Sequence, residues 1–200
     1  MTVYSVETAK SMDNFAMLHG TLLEDFKCSG DFCVNTLCVT RASGAVDEIP
    51  IAAPKPLADR IRQKEVTIFG EWRSRNRYDL GKTKTEHYLL VREVREESAD
   101  DQNEITLTGY LCKKPNFRKT GLGKEICELL VAVHRQCGKS DYLHCIVWNQ
   151  NARKVSNFNV GDKVSLVGRI QSRPYLKIID GVEYIKTAYE VSARKVTKEE

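Results

Sequence analysis

Two stretches of this chain read alike. Residues 163–175 are KVSLVGRIQSRPY and residues 65–78 are EVTIFGEWRSRNRY: a β-branched run, a Gly, then polar and basic residues closing on a Tyr. The likeness continues upstream. NFAMLHGTLLEDF (14–26) and NEITLTGYLCKKPNF (103–117) share an Asn, an apolar alternation, Leu-x-Gly, and a Leu two residues after the Gly. FCVNTLCVTR (32–41) and EICELLVAVHR (125–135) are strand-like runs ending in Arg. Gly20 with Gly109, and Gly70 with Gly168, keep one order at similar separation. The chain is therefore a duplication of a unit of roughly 90 residues, and two copies make a pair of domains and not a solenoid.

Each copy reads strand, strand, strand, helix, strand, strand. In the second copy the elements are expected near 103–113, 124–136, 141–149, 151–158 (the helix), 163–175 and 183–196. PKPLADRIRQK (54–64) and NQNARKVSNFN (149–159) supply the helices, and the Asp-Gly of IDGVE (179–183) turns the last hairpin. Five strands with one helix between the third and fourth is the layout of the OB-fold, a small Greek-key barrel. The expectation is an all-β chain of two tandem barrels over 12–96 and 102–197. REESADDQ (95–102), with Ala99 its single apolar residue, links them.

Composition narrows the class. No window approaches the ~18 apolar residues of a membrane span, and MTVYSVETAK lacks the basic and apolar regions of a secretory signal. Seven Cys is an odd number without CxxC or finger spacing, so free thiols are expected, with no metal and a cytoplasmic, nucleoid-associated location. Residues 1–100 carry a net charge of −2 and residues 101–200 carry +6. Such asymmetry points to a polyanionic partner for the second half.

Strand alternation in DYLHCIVWN (141–149) puts Leu143, Cys145 and Val147 inward and Tyr142, His144, Ile146 and Trp148 outward. Two large aromatics and an imidazole outside a small barrel suit base stacking, which contributes about 1–3 kcal/mol per base. The fourth strand adds Arg169, Gln171 and Arg173 for phosphates and Tyr175 for stacking, and Arg118, Lys124 and Lys177 complete the basic set. The first copy lacks this face. No aromatic occurs between Phe32 and Phe69, and VDEIPIAAPKP (46–56), with three prolines, predicts a broken or edge third strand. Arg73, Arg75, Arg77 and Tyr78 keep the basic end of its fourth strand, so the first copy reads as scaffold or auxiliary contact and the second as the principal binding domain.

The second half resembles the bacterial single-stranded-DNA-binding protein (SSB) family over about 103–196. The resemblance is carried by Asn103, Leu107-x-Gly109-x-Leu111, Pro115-x-x-Arg118 and Ala132-Val133-x-Arg135, then by YLHCIVWNQNA (142–152) and GDKVSLVGRIQSRPY (161–175). It implies stacking rings at Tyr142, Trp148 and Tyr175, and phosphate contacts from Arg173 and Lys124. His144 stands where the family has an Arg, QCGKSD (136–141) lacks a usual aromatic, and VSARKVTKEE is not the acidic tail that recruits replication and repair proteins in the family. A two-copy chain implies a homodimer presenting four OB-folds.

Other chemistry is not written here. The four His have no ligand spacing, there is no Walker, GxSxG or HExxH motif, and Asp141 and Asp162 read as turn formers. No enzyme activity and no cofactor are expected. The resulting reading is sequence-independent binding of single-stranded DNA in replication, recombination, repair or mobile-element transfer. OB-folds accept either sugar, so RNA is an alternative ligand. The alternative function is a protein-interaction and assembly module of a primosome or conjugative apparatus with secondary nucleic-acid binding.

Overall fold

The computed structural model describes residues 13–79, 81–95, 102–179 and 181–199. The linker between Arg95 and Gln102 and Asp180 of the Asp-Gly turn lie outside these residues. The first copy contains β1 (Asn14–Leu22), β2 (Lys27–Ser29), β3 (Phe32–Thr40), β4 (Val46–Pro54), α1 (Lys55–Ala58), β5 (Glu65–Asp79) and β6 (Lys82–Arg95). The second contains β7 (Asn103–Leu111), β8 (Asn116–Lys119), β9 (Glu125–His134), β10 (Ser140–Trp148), α2 (Asn149–Val155), β11 (Lys163–Ile179) and β12 (Val182–Lys198). Short β2 and β8, which pair with β3 and β9, have too few residues to show a period.

The strands form one sheet in the order β2-β3-β4-β6-β5-β1-β7-β11-β12-β10-β9-β8, and extra pairings β3–β1 and β7–β9 close each half into a five-stranded barrel. In both copies the third strand meets the fifth in parallel, at Ile51–Leu89 and at Cys145–Val191. β4 is a continuous nine-residue strand between β3 and β6, not the broken or edge strand its prolines predict. Its ladder with β6 is confined to Ile51 and Ala52, so the donor missing at Pro50 falls outside it.

The landmark glycines have one physical reason. A Cβ on Gly20, Gly70 or Gly109 would lie 2.3 Å from the carbonyl oxygen of Cys38, Leu90 or Ala132, and one on Gly168 would lie 2.4 Å from that of Ser192. At these points one strand crosses another at backbone contact, which any side chain would prevent. The apolar alternation fills the two interiors: Leu18, Leu37, Ile49, Ile68 and Leu89 are fully buried in the first, and Leu107, Leu111, Leu143, Leu166 and Ile170 in the second. Each such side chain contributes about 1.5–3 kcal/mol.

The two barrels join through a pseudo-twofold. β1 pairs with β7 antiparallel, with Ala16 opposite Ile105, Asn14 opposite Leu107 and Leu18 opposite Asn103. Asn14 donates to the Trp72 carbonyl (2.7 Å) and accepts from the Trp72 N–H (2.9 Å), and Asn103 does the same to Ile170 at the same distances. Two buried aspartates complete the joint. Ser172 N–H donates to Asp47 Oδ1 and Ser74 N–H donates to Asp141 Oδ1, both at 2.7 Å across the copies. Arg41 holds Asp47 from within its own copy, and Arg135 holds Asp141. Arg73 of the first copy also donates to Asp141 at 2.8 Å. Asp141 is thus a buried anchor on β10 and not a turn former, whereas Asp162 does cap a turn, accepting from Asn159 N–H at 2.9 Å.

Cys28 and Cys33, opposite one another in the β2–β3 pair, are joined by a disulfide, so the expectation of free thiols does not hold for them. Cys38, Cys112, Cys127, Cys137 and Cys145 are free.

Burial alone would raise the Asp141 carboxyl, but hydrogen bonds from Arg135, Ser74 N–H and Arg73 outweigh it and hold it below the usual range. Its stabilising contribution is therefore present above the unfolded value near ~3.9 and disappears as pH falls through the lower folded value. Asp141→Ala, which leaves buried guanidinium unpaired, is expected to destabilise the protein by about 3–5 kcal/mol at neutral pH in urea unfolding. Asp141→Asn should remove the acid-sensitive component below pH ~4.

Candidate nucleic-acid interface

β10 alternates as its sequence requires. Leu143, Cys145 and Val147 are buried in the barrel, Tyr142 is 50% exposed, His144 is exposed, and Trp148 is half-buried at the strand end. Ile146, on the same face, is buried and forms an apolar floor between the rings. Trp148 Nε1–H donates to Ser192 Oγ on β12 at 3.2 Å, which sets the ring's orientation. Arg169 is exposed and lies opposite Ser192 in the β11–β12 ladder, so it shares this face with Trp148.

Gln171 departs from expectation. It is buried and donates to Glu190 Oε1 at 2.6 Å, directly across the ladder, so it does not present its amide to a phosphate. The reason is tertiary: β11 passes over the first copy there, where Ser172 meets Asp47, and Glu190 acts electrostatically on Arg41. Arg173, one step further out, is half exposed with its guanidinium 3.7 Å from Glu190.

Tyr175 and Lys177 follow on the same face of the hairpin, Tyr175 37% exposed and Lys177 exposed. Opposite them on β12 are Lys186 and Tyr184, respectively. Tyr184 and Lys186 escaped the strand-by-strand reading. They become legible once β12 is paired back across the Asp-Gly turn, because directly opposite residues share a face. Tyr175, Lys177, Tyr184 and Lys186 thus form a checkerboard of rings and cations.

Arg118 and Lys124 lie apart from that hairpin, on the β8–β9 arm. Arg118 donates through Nε (3.0 Å) and Nη2 (2.6 Å) to Glu128, which also accepts from Asn116. Burial raises the Glu128 carboxyl, but Arg118 and Asn116 outweigh it and the net shift is downward. Lys124 is exposed at the turn where Thr120 Oγ1 accepts from its backbone N–H. Among the described residues no group of three or more His, Cys, Asp or Glu is placed to hold a metal ion.

The same backbone in the first copy carries different chemistry. The register β3–β4 matches β9–β10, so Glu48, Pro50, Ala52 and Pro54 occupy the places of Tyr142, His144, Ile146 and Trp148. Arg73 is buried against Asp141 and Glu71. Counting from Gly70 and Gly168, Tyr78 matches Leu176 and not Tyr175. It lies on the opposite face of its hairpin, 76% exposed, since one residue of offset reverses a strand's face.

A family model described as the single-strand binding protein family matches residues 102–198. The single-stranded DNA-binding protein of Enterococcus faecalis is 34% identical over 80 residues, which cover 36% of this chain and 43% of the relative. Single-stranded DNA-binding protein B of Bacillus subtilis is 31% identical over 80 residues, covering 36% of this chain and 71% of the relative. The chain belongs to the single-strand binding protein family. Its alignment spans half or less of the first relatives it matches. Both barrels superpose on the wild-type single-stranded DNA binding protein from Thermus aquaticus, with a TM-score of 0.71 at 19% identity over 94% of this chain and 93% of that one. That likeness establishes the two-barrel fold of this family member across both copies, beyond the residues the family model matches.

His87 of β6 reaches this interface from the first copy. It stacks on Trp72 (6.0 Å between centroids), lies edge-on to His144 at 6.4 Å, and its Nε2 is 3.4 Å from the Tyr142 carbonyl. Burial, reinforced by His144, pushes its pKa down against the opposing pull of that carbonyl and of Asp141. A His lowered on folding stabilises fully above the unfolded value near ~6.5, and the contribution is lost as pH falls towards the folded value. The urea midpoint should therefore fall between pH ~7.5 and ~5.5, and the fall should be smaller in His87→Gln.

Proposed function

We propose that the protein binds single-stranded DNA without sequence preference, through the outer face of its second copy, and acts in replication, recombination, repair or element transfer. The carrying observation is the outward-facing row of Tyr142, His144 and half-buried Trp148 on β10, continued by Tyr175 on β11 and flanked by Arg169, Arg173 and Lys177. Rings stack on bases and cations meet phosphates, and neither contact depends on which base is present. Arg118 and Lys124 extend the phosphate track along the β8–β9 arm. The similarity to single-stranded DNA-binding proteins, and the +6 charge of residues 101–200, support the same ligand. The action is binding, with no catalytic step, in the cytoplasm. The second copy is the principal binding domain and the first its support.

The active species in this reading is a homodimer with four barrels. Leu176, Ile178 and Ile185 are 55%, 64% and 81% exposed on the face of the β11–β12 hairpin that lies opposite Tyr175. An apolar ribbon face of this kind is a surface for a second copy. Sedimentation should give a mass of two chains for the wild type and of one chain for Ile185→Glu.

Oligo-dT is expected to quench Trp148 emission, whereas Trp72, 1% exposed, should respond little. Trp148→Ala should weaken binding by about 1–3 kcal/mol, or about 5- to 150-fold in Kd. Unchanged affinity in a folded Trp148→Ala protein would remove the ring from the site.

A further inference from the structure

The row of rings on β10 has a neighbour two strands away. Tyr110 of β7 lies opposite Ala132 of β9, and Ala132 lies opposite Tyr142 of β10, so the three residues form one line across the sheet. Directly opposite residues share a face, which puts Tyr110 on the same outer surface as Tyr142. Ala132, 9% exposed, is too short to stand between the two rings. The strands that flank β9 are ~10 Å apart, no more than about three nucleotides of a chain that rises ~3.4 Å or more per nucleotide. The first copy meets β10 on its other edge, where Ser74 Oγ accepts from Tyr142 N–H at 2.8 Å. Tyr110 therefore stands on the side away from the first copy, and it does not line the groove between the copies, where His144 and Tyr175 meet Arg75 and His87.

Tyr110 is 40% exposed and has a ring beside it. His134, exposed at the end of β9, lies with its centroid 5.6 Å from that of Tyr110 and its plane tilted by 54°, which leaves neither ring stacked flat on the other. Ser140 Oγ is 2.9 Å from His134 Nδ1 across the β9–β10 turn and fixes the imidazole. The barrel itself does not need these rings. In the first copy Thr21 lies opposite Cys38, and Cys38 opposite Glu48, so Thr21, Cys38 and Glu48 take the places of Tyr110, Ala132 and Tyr142. Thr40 takes the place of His134. The same frame closes there with two hydroxyls and a carboxylate. An exposed Tyr–His pair that the fold does without, in line with Tyr142, has the character of a ligand surface.

We infer that Tyr110, braced by His134, is a further base-stacking residue, reached by the single strand as it runs from Tyr142 across β9 and away from the first copy. The inference rests on the proposed single-strand reading and adds to it a residue outside the β10–β11 row and a direction for the strand. A Tyr ring accepts any base on its face, so the contact adds affinity without base preference. It carries no charge, so the salt dependence of binding stays with the cations.

The test titrates the full chain with oligo-dT of about 20 nucleotides, longer than the ~4–16 that one OB-fold covers, and follows the quenching of Trp148 emission. Tyr110→Thr, which installs the first copy's residue, should bind about 5- to 150-fold more weakly at ~0.15 M salt. The slope of log K against log salt should stay at its wild-type value, because no phosphate contact is lost. Tyr110→Phe should bind as the wild type does. His134→Thr should give a smaller loss and His134→Phe none, since a ring beside Tyr110 is kept. Tyr110→Leu carries the same expectation as Tyr110→Thr where the latter does not fold. Wild-type affinity in a folded Tyr110→Thr or Tyr110→Leu protein, with Trp148→Ala still weakened, overturns the stacking role of Tyr110 and leaves the single-strand reading standing. An equal loss in Tyr110→Phe and Tyr110→Thr traces the effect to the hydroxyl and overturns it too. Failure of the wild-type chain to bind the oligomer overturns that reading and the extension with it.

Discussion

The β1–β7 ladder is the contact on which the rest of the architecture depends. Ala16 faces its own counterpart, Ile105, at the centre, so residues equally far to either side of it meet each other's counterparts, Asn14 with Leu107 and Leu18 with Asn103. That pairing removes the exposed edge that β1 and β7 would otherwise present, and it aligns the two barrels so that their hairpins reach across one another. The Asn14 and Asn103 side chains reinforce it by satisfying backbone groups of β5 and β11 next to the joint.

Reciprocity then sets what each surface can be used for. Asp47 and Asp141 receive the same backbone N–H from the opposite copy and the same Arg from their own. Both networks are desolvated, and a buried carboxylate is tolerated only when paired and hydrogen-bonded. Residues recruited into this joint are lost to any ligand: Gln171 is closed against Glu190, and Arg73 against Asp141 and Glu71. Only beyond them do the hairpins emerge with free basic and aromatic side chains.

The frame is symmetric but its side chains are not. The positions that carry Tyr, His, Ile and Trp on β10 carry Glu, Pro, Ala and Pro on β4, with the strand itself intact. The Asn, Asp, Arg and Ser that make the reciprocal hydrogen bonds of the joint, and the glycines of the barrel crossings, recur in both copies, while the outer face diverges. The consequence is one surface with a row of rings facing, across a groove, one whose third strand carries none.

Much of this was legible from sequence because it depends on local period and steric exclusion. The duplication, the alternation of β10, the crossing glycines and the absence of rings from 33–68 follow from neighbours within one strand or from what a Cβ cannot clear. The strand-by-strand reading missed Tyr184 and Lys186, which require the pairing of two strands, and the shared closing Tyr of the two motifs hides an offset of one residue between Tyr78 and Tyr175. The tertiary structure alone decided the burial of Gln171 and Arg73, the conversion of Asp141 from turn former to anchor, and the groove between the copies. Those outcomes rest on contacts such as Ser172 with Asp47 and Ser74 with Asp141, 125 and 67 residues apart. No local pattern encodes which distant carboxylate a backbone N–H will meet. The sequence by itself determined two barrels and which one bears the rings; the packing of one barrel on the other determined which of the predicted cations remain available.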